Sequence, residues 1–146
     1  MENRTKIYFV QQIGKKEYET ESLWCRAKGN LFIVDNIPFI AEKVSLGDTI
    51  KAEIDKEDKQ YYFEDFVENS GNTTVRIHVY NNFESKIEEI RDHLKKDGCN
   101  TEVFLERNII AVNIPKAVSY NPIKRYLDKG EGSIWSYEES YLEHEY

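Results

Sequence analysis

The stretch TVRIHVYNNFESKIEEIRDHLKKDG, residues Thr74–Gly98, changes its hydrophobic period part-way along. From Val75 to Val79 apolar and polar residues alternate, which predicts a β-strand with one apolar face. Beyond Tyr80 the apolar spacing becomes four, three and four residues, which is typical of an amphipathic helix. These apolar positions are Phe83, Ile87, Ile90 and Leu94. Gly98 stands where helices commonly end, so the stretch predicts a strand followed by one helix.

Two strands, a helix and a last strand are predicted after Gly98. Arg107-Asn108 is the predicted tight turn between the first two of these strands. Asn121-Pro122 favours a helix start, because asparagine caps helices and proline suits the first turn. The predicted elements are strands Thr101–Glu106 and Ile109–Ile114, a helix ending at Gly130, and strand Ser133–Leu142. The order β-α-β-β-α-β is that of a ferredoxin-like unit.

Residues 1–69 contain short strand patterns and no helix pattern. The predicted strands are Lys6–Gln11, Glu21–Lys28, Leu31–Val34, Thr49–Asp55 and Gln60–Val67. Five short strands predict a small barrel or a strongly curled sheet. The expected fold class is therefore α+β, with a barrel-like subdomain at 1–69 and a ferredoxin-like subdomain at 70–146. Because no Gly/Pro/Ser-rich linker occurs near Ser70, we expect the two to share one core.

The stretch VDNIPFIAEKVSLGD, Val34–Asp48, interrupts the strands of the first half. Pro38 has no N–H and therefore favours an edge, a bulge or a bend. Apolar residues on both sides of Pro38 can pack under such a bend. Gly47 is a predicted positive-φ position just before the next strand. These features predict a packed corner of the β-subdomain rather than a ligand site.

The chain has 146 residues and a net charge of −7, and its acidic residues are concentrated in two regions. Residues 51–69 hold seven acids and three bases, and residues 131–146 hold five acids and no base. Such a field repels nucleic acid and favours a basic partner, and the alternative is that it only keeps the protein soluble. Without a signal peptide or a long apolar run, we expect a cytoplasmic protein with no membrane partner. Cys25 and Cys99 are expected to be reduced, Cys25 in a strand and Cys99 more exposed.

The sequence contains no clear motif for a metal, a cofactor or a catalytic nucleophile. His93 and Glu89 are four residues apart on the predicted helix, which is typical of a surface pair. Gly130-Glu131-Gly132 lacks the third glycine and the lysine of a phosphate-binding loop. We therefore predict no cofactor, no metal site and no catalytic residues.

One face of the ferredoxin-like sheet is a candidate binding surface. If the apolar residues of strand Thr74–Tyr80 face the helices, the intervening residues face the other side of the sheet. The candidates for this face are Arg76, His78, Tyr80, Phe104 and Trp135, with Tyr137 as an alternative to Trp135. Aromatic and basic residues on an open sheet are used to bind RNA. The RNP1 pattern is absent, however, so we expect the N-terminal strands or a protein partner to cover this face.

The C-terminal segment YEESYLEHEY, Tyr137–Tyr146, combines tyrosines with carboxylates. In a binder of basic proteins, aromatic side chains anchor the partner and carboxylates steer it. The predicted contact residues are Tyr137, Glu138, Glu139, Tyr141, Glu143 and Glu145. A frayed, solvated terminus is the alternative.

Several short phrases of the sequence, taken together, are characteristic. They are Glu21–Trp24, Asp35–Phe39, Val44–Asp48, Ser70-Gly71 with Arg76, and Gly132–Glu139. They resemble a bacterial family catalogued as domain of unknown function number 4265, over roughly residues 20–142. The resemblance implies a bacterial cytosolic protein, and it brings no established activity or catalytic residue.

The favoured functional hypothesis is a non-enzymatic protein-binding module. Its most concrete form is an immunity-type protein that binds and neutralises a basic toxin domain, such as a nuclease. A small-molecule-binding regulatory module is the first alternative, by analogy with other ferredoxin-like units. The second alternative is an enzyme with a site around Asp48, Arg76 and His78. The sequence makes no prediction of the oligomeric state.

Overall fold

The computed structural model describes residues 4–145, and the chain divides into two compact units, Met1–Ser70 and Gly71–Tyr146. The strands of the first unit are β1 (Arg4–Gln12), β2 (Tyr18–Lys28), β3 (Leu31–Val34), β4 (Thr49–Ile54) and β5 (Tyr61–Glu68). Consecutive strands pair antiparallel, and β5 closes the barrel by pairing parallel with β1 at Ile7 and Tyr8. The closed barrel confirms the predicted curled, barrel-like sheet.

The interior of the barrel is filled by the alternating apolar residues of its strands. Ile7 and Phe9 of β1 and Leu23 and Cys25 of β2 are all buried, while the residues between them face outward. Alternation of this kind is what a strand with one buried face requires. The residues of β1 and β2 that alternate with these four therefore lie on the outside of the barrel.

The second unit is a four-stranded antiparallel sheet with two helices. Its elements are β6 (Thr73–Val79), α1 (Ile87–Lys96), β7 (Asn100–Phe104), β8 (Ile109–Ile114), α2 (Asn121–Gly130) and β9 (Trp135–Tyr141). The strand order is β7-β8-β6-β9, so each helix connects two strands that flank a third. This arrangement confirms the predicted ferredoxin-like unit.

Three local predictions in the second unit need correction. The predicted helix from Phe83 begins as a 3-10 turn at Asn81–Lys86, and the α-helix starts only at Ile87. Leu105–Arg107 forms another 3-10 turn, and Asn108 then adopts a left-handed conformation. Asn121 is the first helical residue of α2 and makes no capping bond, because the N-cap position is taken by the preceding residue, Tyr120. Proline still stands in the first turn, as expected.

Each unit has its own cluster of buried hydrophobic residues. In the second unit, Val75, Ile77 and Val79 pack with the apolar faces of α1 and α2. In the first unit the cluster lies inside the barrel. The single core expected to join residues 1–69 and 70–146 stays a prediction. Within residues 4–145, neither helix is long and apolar enough to cross a membrane.

Candidate protein-binding surface

The predicted contact residues in β9 are divided between the two faces of the sheet. The register pairs Ile77 with Tyr137 and Arg76 with Glu138. Because Ile77 faces the helices, Tyr137 and Glu139 lie toward α2, whereas Glu138 lies on the opposite face. The six residues therefore do not form one continuous surface.

Tyr137 and Glu139 belong to a polar network with α2. The Tyr137 hydroxyl donates to Asp128 and accepts a hydrogen bond from Lys124 Nζ at 3.0 Å. The Tyr120 hydroxyl donates to Glu139 at 2.6 Å, and Lys124 Nζ lies 3.7 Å from the same carboxylate. Burial, together with the hydrogen bond to Asp128, raises the pKa of Tyr137. These two side chains hold α2 against β9 and are poorly placed to receive a partner.

Glu138 is accessible from solvent on the other face of the sheet. Its carboxylate lies 3.8 Å from Arg76 Nη1 and 3.7 Å from His78 Nε2. The Glu138 side chain is 54% exposed and that of Arg76 is 5% exposed. The carboxylate thus offsets the charge of a buried guanidinium and still presents one side to a partner.

The chain after β9 is tied to the start of β6. The backbone N–H groups of Glu143 and His144 donate to Thr73 Oγ1 at 2.9 and 3.1 Å. His144 Nδ1 lies 2.6 Å from the same Oγ1, and Nε2 lies 2.9 Å from the Pro115 carbonyl oxygen. A neutral imidazole with its proton on Nε2 satisfies all of these contacts, because Thr73 then donates to Nδ1. The frayed-terminus alternative is therefore wrong through His144, and Tyr146 lies outside the described residues.

The accessible part of the predicted surface is smaller than the sequence indicated. We call it the acidic edge, and it consists of Glu138, Leu142, Glu143 and Glu145, all exposed. Leu142 is 41% exposed, and it was not among the predicted contact residues. An apolar residue within an acidic segment could have indicated a contact residue from the sequence alone. Tyr141 is half-buried, and its hydroxyl donates to Glu143 at 2.5 Å. The acidic edge therefore contains three exposed carboxylates and one exposed apolar side chain.

The candidate aromatic face of the sheet is not formed as predicted. Trp135 pairs with Val79 and is 3% exposed among the helices, so its predicted place with Arg76 and His78 is wrong. Tyr80 lies beyond the end of β6, where its N–H donates to the Ile134 carbonyl. Phe104 shares the face of His78, since both pair with Ile109. The register of β9, which the sequence leaves open, decides this outcome.

A hollow of about 480 Å³ lies beside α1 and the end of β7. It is lined by Glu84, Ser85, Ile87, Glu88, Arg91, Val103 and Leu105. Arg91 is engaged by Glu88 and by Thr101 Oγ1, so its guanidinium is a structural cross-link. Within residues 4–145, no group of three or more His, Cys, Asp or Glu residues is placed to hold a metal ion.

Comparison with known proteins assigns the chain to a family. The model of the family described as "Domain of unknown function (DUF4265)" matches residues 21–137. The chain belongs to this family. The match covers parts of both units and ends at Tyr137, so all four residues of the acidic edge lie beyond it.

One solved structure has the same fold as this DUF4265 chain. It is described as "Novel crystal structure of a hypothetical protein from Neisseria gonorrhoeae", with a TM-score of 0.79 and 24% sequence identity over 99% of each chain. At this identity the likeness shows the fold alone. None of the curated proteins matches the chain.

In the DUF4265 chain, the Val34–Asp48 corner is held by internal carboxylates. Three consecutive backbone N–H groups, from Phe39 to Ala41, donate to the Glu21 carboxylate at 2.8 to 3.0 Å. Such a row of donors resembles an anion-binding nest, and here the chain's own carboxylate occupies it. Gly47 has the expected positive φ of 89°. These hydrogen bonds and the Gly47 turn form the packed corner that the sequence predicted.

Asp48 closes the other end of this corner and is fully buried. One carboxylate oxygen accepts from the Ser45 N–H at 2.9 Å, and the other accepts from the Ser70 N–H at 2.8 Å. A carboxylate that is buried and used in this way is shielded from any substrate. In the hypothesis of an enzyme site around Asp48, Arg76 and His78, Asp48 is therefore not available as a reacting group.

Both thiols are buried, which corrects the expectation that Cys99 is more exposed. The chain reverses at Gly98, so Cys99 is carried back under α1, where it is 5% exposed. Burial raises the pKa of both thiols from an ordinary 9.0 to about 12. The thiolate, which is the reactive form, is therefore scarce at neutral pH.

We expect iodoacetamide to label both cysteines at pH 8 at least about a hundredfold more slowly in the native protein than in guanidinium, because three pKa units and burial both oppose reaction. Mass spectrometry against time measures the rates. Rapid native labelling of Cys99 would contradict its burial.

The same pKa shifts stabilise the fold below pH 9, and this contribution is lost as the pH rises from 9 toward 12, since the unfolded thiols ionise first.

Proposed function

We propose that this DUF4265 protein is a non-enzymatic module that binds a basic protein domain through the acidic edge, as an immunity-type protein binds and neutralises a toxin domain. The observation that supports the proposal is the anchoring of the acidic edge at both ends. Glu138 lies in a paired strand, and Glu143 is held at Thr73. The backbone that carries Glu138 and Glu143 is therefore ordered before a partner arrives, which lowers the entropy cost of binding.

Charge supports a basic partner for this surface. Residues 131–146 hold five acids and no lysine or arginine. A concentrated field of one sign raises the rate of encounter with a partner of the opposite sign. Leu142, the apolar residue of the acidic edge, supplies exposed area that the partner can bury. Carboxylates would then govern association, and Leu142 would govern dissociation.

The test is affinity capture with a matched pair of charge variants. The first variant replaces Glu138, Glu143 and Glu145 with glutamine. The control replaces three exposed acids of the first unit instead. These are Glu57, Glu64 and Glu68. Glu139 is left unchanged because it is half-buried and accepts the Tyr120 hydrogen bond. Glu138 and Glu143 also have internal partners, Arg76 and Tyr141, so the melting temperature of each variant is measured first. Tagged proteins are used to capture partners from lysate and secreted proteins of the source cell, and retained proteins are identified by mass spectrometry.

We expect one basic protein to bind the wild type and the control, and to bind the acidic-edge variant at least about tenfold more weakly. The loss should lie mainly in the association rate and should shrink as salt is added. Equal binding by both variants would remove the acidic edge from the interface. Retention of no protein by the wild type would contradict the binding-module proposal.

The hollow beside α1 favours a small-molecule-binding module as the second candidate. Its volume of about 480 Å³ falls in the range of ligand sites, and apolar Ile87, Val103 and Leu105 contribute to its walls. A metabolite that binds there should raise the melting temperature, and Val103→Trp should abolish that shift by filling the hollow. A shift that survives Val103→Trp would place the ligand elsewhere.

A further inference from the structure

The outward face of β1 and β2 carries no carboxylate, although the whole chain has a net charge of −7. Ile7, Phe9, Leu23 and Cys25 point into the barrel, so the residues that alternate with them point outward. We call ten of these residues, all except Lys28 at the end of β2, the barrel strip. They are Arg4, Lys6, Tyr8, Val10 and Gln12 of β1, and Tyr18, Thr20, Ser22, Trp24 and Arg26 of β2. Asp and Glu make up 27 of 146 residues, so about two would be expected among ten.

Three cations and one exposed aromatic ring occupy two adjacent rows of the barrel strip. The register pairs Arg4 with Arg26, then Lys6 with Trp24. The Arg4 guanidinium lies 5.2 Å from the centroid of the Trp24 ring, and Lys6 Nζ lies 5.1 Å from it. Trp24 is still 37% exposed, which leaves ring surface available to a ligand. An exposed tryptophan between two cations is a stacking platform with positive charge at its side.

A second aromatic pair extends the barrel strip onto β5. Tyr8 pairs with Tyr62 across the parallel closure of the barrel, and their ring centroids are 5.6 Å apart. Carboxylates border the strip on both sides. Asp35 contacts Arg4 at 3.3 Å and Arg26 at 4.0 Å, Asp58 accepts from the Tyr62 hydroxyl, and Glu53 pairs with Tyr62 in the register of β4 and β5. Three cations against Asp35 leave the end of the strip near Trp24 net positive. The Asp35 contacts also hold the two arginines in place.

From this arrangement we propose that the barrel strip binds single-stranded nucleic acid. Phosphates would contact Arg4, Lys6 and Arg26, and bases would stack on Trp24 and the tyrosines. Small barrels that bind single strands combine a positive surface with exposed aromatic rings in this way. The expectation of no nucleic-acid partner came from the acidic regions and from the sheet of the second unit. The barrel strip is a separate surface, so it extends the proposed function rather than depending on it.

The test measures fluorescence anisotropy of a labelled oligothymidylate of about 12 nucleotides at low salt. The variants are Lys6→Gln and Trp24→Ala, and the matched control is Lys51→Gln on the outside of β4, which is also exposed. We expect Trp24→Ala to weaken binding about tenfold or more, since stacking on one ring supplies that much. Lys6→Gln should lower the slope of log affinity against log salt by about 0.7, the value of one phosphate contact on a single strand. Lys51→Gln should bind like the wild type.

Tryptophan fluorescence gives a second readout that does not depend on Trp24→Ala being folded. The chain has two tryptophans, and Trp135 is buried, so quenching by unlabelled oligothymidylate should come from Trp24 and disappear in Trp24→Phe. A polyglutamate peptide of equal charge is the competitor for an acidic-protein partner. The proposal would be overturned by absence of binding at low salt, by equal loss with Lys51→Gln, or by competition from polyglutamate as effective as that from oligothymidylate. In the last case the strip would be a site for acidic peptides.

Discussion

Replacing Gly130 with alanine is expected to lower the free energy of unfolding by about 3 kcal/mol, because the new methyl group overlaps a fixed indole. A Cβ built on Gly130 would lie 2.2 Å from Cζ2 of Trp135. The indole cannot simply move away, since it is 3% exposed and its Nε1–H donates to the Leu127 carbonyl at 3.0 Å. The overlap must be relieved by shifting α2 from β9 or by breaking that hydrogen bond. Thermal unfolding should show a melting temperature about 10 °C lower.

Two further variants make this expectation specific. Gly14→Ala is the control, because a Cβ there meets only Glu17, at an ordinary 3.5 Å, and the change should be close to neutral. Gly130→Ala combined with Trp135→Phe should be less destabilised than the sum of the two single changes, since the smaller ring makes room for the methyl group. Additive effects would show that the Gly130–Trp135 contact is not the cause.

Asp48→Asn is expected to cost about 3 kcal/mol of stability, the second large effect. Both carboxylate oxygens accept backbone N–H groups, from Ser45 and Ser70, and the residue is fully buried. Whichever way the amide is turned, its NH₂ group faces one of these donors. Because solvent does not reach the site, that N–H loses its hydrogen bond without replacement. Urea unfolding should show a lower midpoint.

Asp55→Asn is the matched control for this change. The Asp55 carboxylate accepts from two backbone N–H groups, of Glu57 and Asp58, in an exposed turn. Both N–H groups donate to the same oxygen, which the amide oxygen of asparagine can replace, and water can reach the turn, so we expect a change below about 1 kcal/mol. Equal losses of stability in the two variants would show that the burial of Asp48 does not strengthen the effect of losing its hydrogen bond.

Much of the secondary structure could be predicted because it depends on residues close together in the chain. The apolar spacing of two along β6 and of three and four along α1 specifies their buried faces without knowledge of any neighbour. The β-α-β-β-α-β order then permits few sheet topologies, and the ferredoxin-like order is observed. The positive φ of Gly47 follows in the same way from its turn.

The candidate sites were predicted less well, because they depend on which elements meet. Alternation showed that Trp135 and Tyr137 share a face with Glu139, but only the pairing with β6 turns that face toward α2. The barrel strip was missed for a similar reason. Lys6 and Trp24 are 18 residues apart and become neighbours only in the register of β1 and β2.

By itself the sequence determined the elements, their buried faces and the acidity of the C-terminal end, since local periodicity and composition contain that information. Tertiary structure decided the parallel closure of β5 on β1, the capture of the Phe39–Ala41 N–H groups by Glu21, and the contact of Gly130 with Trp135. Each of these joins groups whose distance depends on the packing of whole strands and helices. Local pattern limits what each element can do, and only packing decides which side chains meet.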